Sequence, residues 1–173
     1  MINLNCKAKG FRTKHVSPFK KNKHYAATFP KTKSENDQLV SSIYGAGIKL
    51  TYLSDDFMKA EVQLKLRWWN KNLVGVHFGG SLLVMCDPFY MLLLMNTLGR
   101  DYIVWDKAAS IRFKKPGRGT VKCIFELTEP LLAQIREEVT AAGKKDYIFD
   151  LHIIDEHGEV VCEVQKTIYI RKK

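Results

Sequence analysis

The chain has 173 residues, 46% of them apolar and 27% charged, which is typical of a globular protein and excludes a fibrous or wholly disordered one. This length suits one domain with a sizeable core. The formal net charge of +10 is concentrated in residues 1–34, which carry nine Lys or Arg and no Asp or Glu. Because the remainder is close to neutral, the high pI does not indicate a domain that binds nucleic acid specifically.

The first 36 residues show neither a helical nor a strand period, and Pro18 and Pro30 interrupt them. We predict a basic N-terminal leader over residues 1–36, mobile or loosely docked, and one domain over residues 37–173. The leader lacks the apolar run of a signal peptide, so a cytoplasmic location is expected. It is interpreted either as a solvated tail or as a weak electrostatic contact with acidic membrane or coenzyme A phosphates.

Two strands are predicted at the start of the domain, over residues 46–53 and 58–66. The second alternates apolar and polar residues with period two, which is typical of an antiparallel strand with one buried face. The alternation ends at Trp68 and Trp69, and residues 70–72 (Asn-Lys-Asn) supply turn chemistry.

A long apolar helix is predicted over residues 81–98, where Asp87 is the only charged residue. A helix that is apolar on all sides must be surrounded by protein or lipid. Asp87 and Pro88 disfavour a membrane span, since an Asp at the bilayer centre costs roughly 2.5–3.5 kcal/mol. Gly99 follows as a C-cap glycine.

Four further strands and a second helix complete the domain. The strands are predicted over residues 102–113, 120–128, 146–154 and 159–171. The amphipathic helix covers residues 130–142, with Thr128 or Glu129 at its start, Pro130 in the first turn and Gly143 after its end. The pattern indicates an α+β fold in which a curved antiparallel sheet of about six strands wraps around the long central helix. A single copy would leave that helix half exposed, so self-association is expected.

The four cysteines, Cys6, Cys86, Cys123 and Cys162, are widely spaced and form no CxxC pair. Neither a disulfide framework nor a metal site is therefore predicted. The last three lie in apolar stretches and are interpreted as small buried hydrophobic residues.

Gly79 and Gly80 precede the apolar helix and are the first candidates for chemistry. Glycine allows a ligand to approach the backbone, and the free N–H groups of a first helical turn favour negative charge. A thioester carbonyl that becomes an oxyanion during attack needs this kind of donor. Asp87 lies about two turns further and could serve as a general base or a nucleophile.

The block Asn72…Gly75…His77-Phe78-Gly79-Gly80…Asp87 resembles the active-site signature of phenylacetyl-CoA-type hotdog thioesterases. The resemblance implies that the Gly79 N–H polarises the thioester carbonyl and that Asp87 is the catalytic carboxylate. Asn72 falls on the family's Asn and would help to position water or the carboxylate. The family builds each site across a dimer, so Asp87 and Gly79 would come from opposite subunits.

Residues 40–172 resemble a bacterial branch of the hotdog superfamily that is catalogued as a domain of unknown function and often labelled a thioesterase. This resemblance implies a hotdog fold that forms a homodimer or a tetramer. The substrate would be an acyl-CoA or a related thioester, with no cofactor beyond the coenzyme A that the substrate carries.

One residue departs from the family pattern, which has His directly before the two glycines. Here Phe78 stands in that place and His77 comes one residue earlier, which turns its side chain by about 100° on a helix entry. Phe78, together with Gly80, is predicted to line the acyl pocket. His77 is assigned to substrate binding or, alternatively, to a structural hydrogen bond.

Further binding residues are expected on the strand after the helix and on the turn that follows it. Asp106 and Ser110 lie where the family often places a polar residue that orients water. The basic turn could hold coenzyme A phosphates or could be a solvated hairpin tip; its cationic residues are Lys114, Lys115 and Arg118.

Plain alternatives exist for the principal candidates. Asp87 and Pro88 could be the N-cap and first residue of a helix that begins there. Gly79 and Gly80 could form a tight turn, and Asn72 could be a loop residue. The chain could then be a non-catalytic acyl-CoA- or lipid-binding or assembly module. A hydratase of the same fold is less favoured, because no Asp and His pair has the required spacing.

Overall fold

The computed structural model describes residues 43–173, so the predicted leader and the first residues of the predicted domain lie outside the described residues. The described chain contains six strands and three helices, and residues 43–45 are helical as well. The strands are β1 (Ile48–Leu53), β2 (Lys59–Lys65), β3 (Tyr102–Phe113), β4 (Thr120–Glu126), β5 (Lys144–Ile154) and β6 (Val160–Lys172). The helices are α1 (Gly79–Val84), α2 (Phe89–Leu98) and α3 (Glu129–Ala142).

All six strands form one antiparallel sheet in the order β1-β2-β4-β5-β6-β3. The prediction of a six-stranded antiparallel sheet around a central helix is confirmed. The long strands β5 and β6 form a hairpin, whereas β4 and β5 are paired at only two positions. Because β3 comes last in the order, its 12 residues have one edge without a partner strand among residues 43–173.

Buried and more exposed side chains alternate along the strands, as the period-two pattern of the sequence predicts. Ala60, Val62 and Leu64 are fully buried on β2, and the same face continues across β4, β5 and β6. The corresponding buried residues there are Val121, Cys123, Phe125, Tyr147, Phe149, Leu151, Ile153, Cys162, Val164, Lys166, Ile168 and Ile170. Lys166 is the one charged side chain among them. This face supports the central helical segment.

The central helical segment runs from Gly79 to Leu98 but is not the continuous helix that was predicted. It divides into α1 and α2 at residues 85–88, because Pro88 has no N–H to donate within a helix. The carbonyl of Val84 is not left unbonded, since the Asp87 N–H donates to it at 3.2 Å. The alternative in which a helix begins at Asp87 and Pro88 is correct in part, because α2 starts directly after Pro88. Pro88 and not Asp87 is its N-cap residue, however, and α1 already starts at Gly79.

The apolar side chains of α2 pack on the sheet through aromatic contacts. The Tyr90 ring stacks on Phe149 with centroids 4.3 Å apart, and Phe89 and Tyr90 both lie against Phe125. By length and composition alone, the stretch Gly79–Leu98 would be able to cross a membrane, and 56% of it is buried within the domain. Gly99 ends α2 with a positive φ of 85°, as a C-cap glycine.

The second predicted helix is confirmed as α3, together with its end signals. The Thr128 hydroxyl accepts a hydrogen bond from the Leu131 N–H, Pro130 lies in the first turn, and Gly143 ends the helix at φ 75°. Its apolar face is buried through Leu132, Ile135 and Val139.

Candidate functional site

A charged side chain lies buried beneath the break in the central helical segment. Lys166 occupies an inward-facing position of β6, between Val164 and Ile168, and only 1% of it is exposed. A lone buried ammonium would be costly, so it must be paired with negative charge. The two carboxylates that pair with it come from different elements of the fold.

Asp87 and Asp106 supply those carboxylates. Lys166 Nζ donates a hydrogen bond to Asp87 Oδ1 at 2.7 Å and forms an ion pair with Asp106 Oδ1 at 2.8 Å. The Asp87 side chain is 56% exposed, whereas that of Asp106 is 21% exposed. The cluster thus joins the helix break, the edge strand β3 and the sheet interior. The buried ammonium of Lys166 thereby fixes the carboxylate of Asp87 at the surface.

Burial and the neighbouring charges shift the pKa values of two members of the cluster, Asp106 and Lys166. Burial raises the pKa of Asp106 above its usual value, although the Lys166 ammonium opposes this effect. Asp106 Oδ1 is buried, and its partner among the described residues is Lys166 Nζ at 2.8 Å. Burial lowers the pKa of Lys166, but the bonds and charges of Asp106 and Asp87 outweigh it and leave that pKa raised. Lys166 is therefore a permanent cation at neutral pH.

Two aromatic rings cover the glycine pair at the start of α1. A Cβ at Gly79 would meet the ring of Phe113 at 2.8 Å, and one at Gly80 would meet Phe78 at 2.4 Å. A side chain at either position would displace one of these rings, so only glycine fits without a shift. Neither the Gly79 nor the Gly80 amide donates a hydrogen bond to another described residue. These N–H groups lie beside the rings of Phe78 and Phe113, each 55% exposed.

His77 is placed inside the domain, with 2% of the residue exposed. Its Nε2 lies 3.2 Å from the Gly119 carbonyl, and its ring packs against Gly117. Burial lowers the pKa of this imidazole, which favours the neutral form. This placement favours the structural alternative and leaves the ring without access to a substrate within one protomer.

Asn72 organises the loop between β2 and α1. Its Oδ1 accepts hydrogen bonds from the N–H groups of Val74 and Val76, at 3.1 and 3.2 Å. Because that oxygen already accepts two backbone hydrogen bonds, this placement favours the alternative in which Asn72 is a loop residue. Asn70, which the sequence patterns did not single out, is 3% exposed and bonds to the backbones of Arg67, Lys65 and Ala46.

The basic turn after β3 is largely engaged with carboxylates. Lys115 forms ion pairs with Asp155, at 2.7 Å, and with Glu159. Lys114 lies 3.3 Å from Glu163. Arg118 is exposed and has no carboxylate partner among residues 43–173. Of the three predicted phosphate-binding residues, only Arg118 presents a cation that is not already paired within the described domain.

The predicted residues thus fall into two groups along the central segment. Asp87 and Asp106 meet at the helix break, while Gly79, Gly80 and Phe78 lie at the start of α1. Gly79 is the first residue of α1, whereas Asp87 lies eight residues later, beyond the end of α1 and in the break before α2. Ser110 is exposed on β3 opposite Gln165 and makes no contact with the cluster.

The cysteines of the described domain are free and buried, in agreement with their interpretation as core residues. Cys86 Sγ lies 3.7 Å from Cys123 Sγ. The hydrogen bond to Cys123 and burial raise the pKa of the Cys86 thiol well above its usual value, so it is a poor nucleophile. Within residues 43–173, no group of three His, Cys, Asp or Glu side chains is arranged to hold a metal ion.

Lys166 is the site residue that sequence reasoning missed, although a signal was present. In strand β6 the alternate positions Cys162, Val164, Ile168 and Ile170 are apolar, and Lys166 shares their face. A cation at an inward position of a one-sided strand predicts a buried carboxylate partner.

The family model described as "Domain of unknown function (DUF4442)" matches residues 38–170. No curated protein matches the sequence. Among solved structures, a Pseudomonas aeruginosa protein of unknown function described as a probable thioesterase has a TM-score of 0.68 at 21% identity. The alignment covers 84% of this chain and 99% of that one.

Two further structures share the fold at 14% identity. A Haemophilus influenzae thioesterase has a TM-score of 0.58 and covers 84% of this chain and 94% of its own. A Chlorobaculum tepidum protein of unknown function has a TM-score of 0.65, with coverages of 82% and 92%. At these identities the likeness concerns the fold. The chain belongs to the DUF4442 family and adopts the hotdog fold that the sequence predicted.

Proposed function

We propose that this protein hydrolyses acyl-CoA or related thioesters, with Asp87 as the catalytic carboxylate. The observation that carries the proposal is the position of Asp87, half exposed at the helix break and hydrogen-bonded to the buried ammonium of Lys166. Lys166 fixes one carboxylate oxygen, so the other can face a substrate or a water molecule. Similarity in fold to proteins described as thioesterases agrees with this chemistry.

The reaction follows from these groups. A water molecule attacks the thioester carbonyl while Asp87 accepts one of its protons, as a general base does. The tetrahedral oxyanion is held by backbone N–H donors at Gly79 and Gly80. When it collapses, the C–S bond breaks and the proton passes from Asp87 to the departing sulfur. The products are a carboxylic acid and coenzyme A, and no metal or additional cofactor takes part.

One protomer cannot supply both halves of this site. Gly79 begins α1, and Asp87 lies eight residues later, beyond the end of that helix, where Lys166 holds its carboxylate. A general base, however, must act within hydrogen-bond reach of the water that attacks the carbonyl. A site that combines them needs the glycine amides of one copy and the Asp87 of another. The proposed enzyme is therefore a homodimer at least, and a tetramer is compatible with the same arrangement.

The edge of β3 is the surface proposed for this dimer. Its 12 residues present an edge with no partner strand among the described residues, and such edges are templates for pairing. Trp105 and Phe113 on this strand are 64% and 55% exposed. Pairing of two β3 strands would cover both rings and would bring Asp106 and Ser110 close to the second copy.

The aromatic rings beside the glycine pair favour an apolar acyl group. Phe78 occupies the position where the resembling family has His, and with Phe113 it forms a wall next to the Gly79 and Gly80 amides. Arg118 is the best candidate for a coenzyme A phosphate, because Lys114 and Lys115 are already paired with carboxylates. Arginine also binds phosphate in bidentate fashion.

A second candidate function has one specific observation in its favour. The family's His before the glycines is replaced by Phe78, and His77 is buried on the backbone of Gly119. A site of this kind could bind an acyl-CoA without hydrolysing it. This alternative is a non-catalytic acyl-CoA- or lipid-binding module with the same dimeric pocket.

Thiol release from a panel of acyl-CoAs, short, long and aromatic, tests the proposal. We expect turnover on at least one substrate and a loss of about 10²-fold or more in Asp87→Asn, because the general base is removed. Asp101→Asn, an exposed carboxylate outside the cluster, is the matched control and should retain wild-type turnover. Equal turnover of Asp87→Asn and wild type would refute the role of Asp87. No turnover on any substrate would favour the binding module.

A further inference from the structure

The loop between β2 and α1 carries an apolar turn that the proposed chemistry does not use. Residues 71–77, here called the finger, form a small hairpin closed by an isolated bridge between Lys71 and His77. The Gly75 N–H donates to the Asn72 carbonyl at 3.0 Å, so Leu73 and Val74 occupy the two corners of a tight turn. Corner positions of turns are usually polar.

Leu73 and Val74 are among the most exposed apolar residues of the described domain, at 107% and 77%. Their exposure is built into the fold, since the Asn72 side chain binds the Val74 and Val76 amides and Gly75 adopts a positive φ of 79°. The buried Asn70 fixes the base of the loop. The turn therefore projects two aliphatic side chains from a well-bonded frame.

Tryptophan and basic residues surround this aliphatic tip. Trp68 and Trp69 precede the finger in the same loop and are 79% and 51% exposed. The guanidinium of Arg67 lies over the Trp69 ring, 5.9 Å from its centroid. Tryptophan is enriched where membranes meet water, and Lys and Arg are attracted to anionic headgroups.

The charged residues that the sequence places in this loop are all basic. Between Glu61 and Asp87 the sequence has no acidic residue, but it contains Lys65, Arg67 and Lys71. The leader is basic too, with nine Lys or Arg and no carboxylate in residues 1–34. Both segments complement an anionic surface.

We propose that the finger docks the protein on an anionic lipid surface. Leu73 and Val74 enter the boundary between headgroups and acyl chains, Trp68 and Trp69 lie at the headgroup level, and the basic side chains contact lipid phosphates. A nucleic acid could bind the cations through its phosphates and stack its bases on the tryptophans, but it would leave Leu73 and Val74 exposed to water. The finger leads directly into the Phe78-Gly79-Gly80 sequence, so docking would bring the proposed acyl site close to the lipid.

Flotation of the full-length protein with vesicles tests this docking surface. Wild type should bind phosphatidylcholine vesicles that contain phosphatidylglycerol and should bind pure phosphatidylcholine vesicles far more weakly. Leu73→Ser/Val74→Ser should bind the anionic vesicles on the order of tenfold more weakly or worse, because insertion of the aliphatic tip is lost. The matched control, Ile148→Ser/Val160→Ser, removes two other exposed aliphatic residues and should bind like wild type.

Tryptophan fluorescence gives a second readout of insertion. The chain has three tryptophans, so Trp105→Phe leaves only the pair beside the finger. Its emission should shift to shorter wavelength on anionic vesicles, and the shift should disappear when Leu73→Ser/Val74→Ser is added. The melting temperature of that variant should equal that of wild type, since both residues are exposed.

Three results would overturn the proposal. The first is that wild type does not bind anionic vesicles, and the second is that the finger variant binds them as tightly as wild type does. In a third case, Leu73→Ser/Val74→Ser lowers the molecular mass measured by light scattering, which would make the finger a contact between copies of the chain. None of these results depends on thioesterase activity.

Discussion

Helix α3 and the central segment α1–α2 both pack on the same sheet, but α3 is amphipathic and the central segment is apolar on all sides, and their polar groups differ. In α3 the ends are capped by Thr128 and Gly143, and the Glu138 carboxylate is bonded to three neighbours. The central segment has no side-chain cap at the start of α1 or of α2. It breaks over residues 85–88 beside the buried Lys166 ammonium and the buried Oδ1 of Asp106.

This difference suggests that α3 serves stability, whereas the central segment serves the proposed chemistry. Helix α3 follows the rules for a stable amphipathic helix and also supports its neighbour, since Arg136 donates a hydrogen bond to the Thr97 carbonyl near the end of α2. The central segment departs from those rules where Asp87, Asp106 and Lys166 meet. Natural proteins tend to depart from local rules at functional sites. Substitutions in the two regions should therefore have different effects on the free energy of unfolding and on thioester turnover.

Lys166→Met should give the largest effect on stability. It removes the cation between Asp87 and Asp106 and leaves a buried carboxylate without a partner. We expect the free energy of unfolding at neutral pH to fall by about 3 kcal/mol, the lower end for a broken buried pair, because the cluster reaches solvent through Asp87. Urea unfolding measures the loss. Lys166→Met/Asp106→Asn should recover part of it, because the uncompensated buried charge is removed as well.

The pH dependence distinguishes this electrostatic cause from poor packing. The pKa of Lys166 is raised in the folded state, so its contribution to stability is present below its unfolded pKa of about 10.4 and is lost as the pH rises through the folded value. In Lys166→Met that alkaline loss should be absent. The cost of the substitution should also shrink on acidification, since Asp106 then takes up a proton. A loss that is constant over this pH range would contradict the account.

Thr128→Ala should give a moderate loss of stability confined to the α3 region. The hydroxyl accepts one long hydrogen bond, 3.4 Å from the Leu131 nitrogen, so we expect a loss of about 0.5–1 kcal/mol in urea unfolding. Thr128→Ser retains the cap and is the control. Thioester turnover should be unchanged in both variants. A drop in turnover would show that α3 and the central segment are not separate in function.

Glu138→Gln should give the smallest effect, and it should depend on pH. The bonds from Lys145, Gln134 and Tyr147 lower the pKa of Glu138 to about 2. Its stabilisation is therefore present above its unfolded pKa and is lost as the pH falls towards 2. The group is partly exposed, so we expect a loss of about 1 kcal/mol or less at neutral pH.

Urea unfolding at pH 7, 4 and 2.5 checks this expectation, with Glu137→Gln as an exposed control on the same helix. The difference between Glu138→Gln and wild type should shrink as the pH falls and should be smallest at pH 2.5. A difference that grows on acidification would show that the carboxylate acts in some other way.

The fold was largely predictable, because its signals are local. The period-two strands, the caps of α3 and the all-apolar central segment each appear in the sequence without knowledge of the rest. Pro88 indicates that the helix is disturbed before Phe89. The sequence does not show, however, whether a proline kinks a helix or divides it into two. The Asp87 carboxylate could be singled out by its apolar surroundings, as the one charge in a long apolar stretch.

The remainder of the site depends on contacts between distant segments. Lys166 is 79 residues away from Asp87 along the chain, so only the pairing of β6 with β3 and the packing of the helix bring them together. The burial of His77 against Gly119 depends in the same way on a loop 42 residues further on. Local patterns cannot specify such partners, although the inward position of Lys166 on β6 could have indicated that one existed.

The most direct test of the account is a single-turnover experiment at the helix break. Wild type and Asp87→Asn, each in excess over the best acyl-CoA of the panel, would be compared for ligand binding by calorimetry and for thiol release. The account predicts that Asp87→Asn binds the acyl-CoA with nearly the wild-type Kd but releases thiol at least about 10²-fold more slowly. Thiol release by Asp87→Asn at the wild-type rate would contradict it, and so would tight binding by wild type without any thiol release.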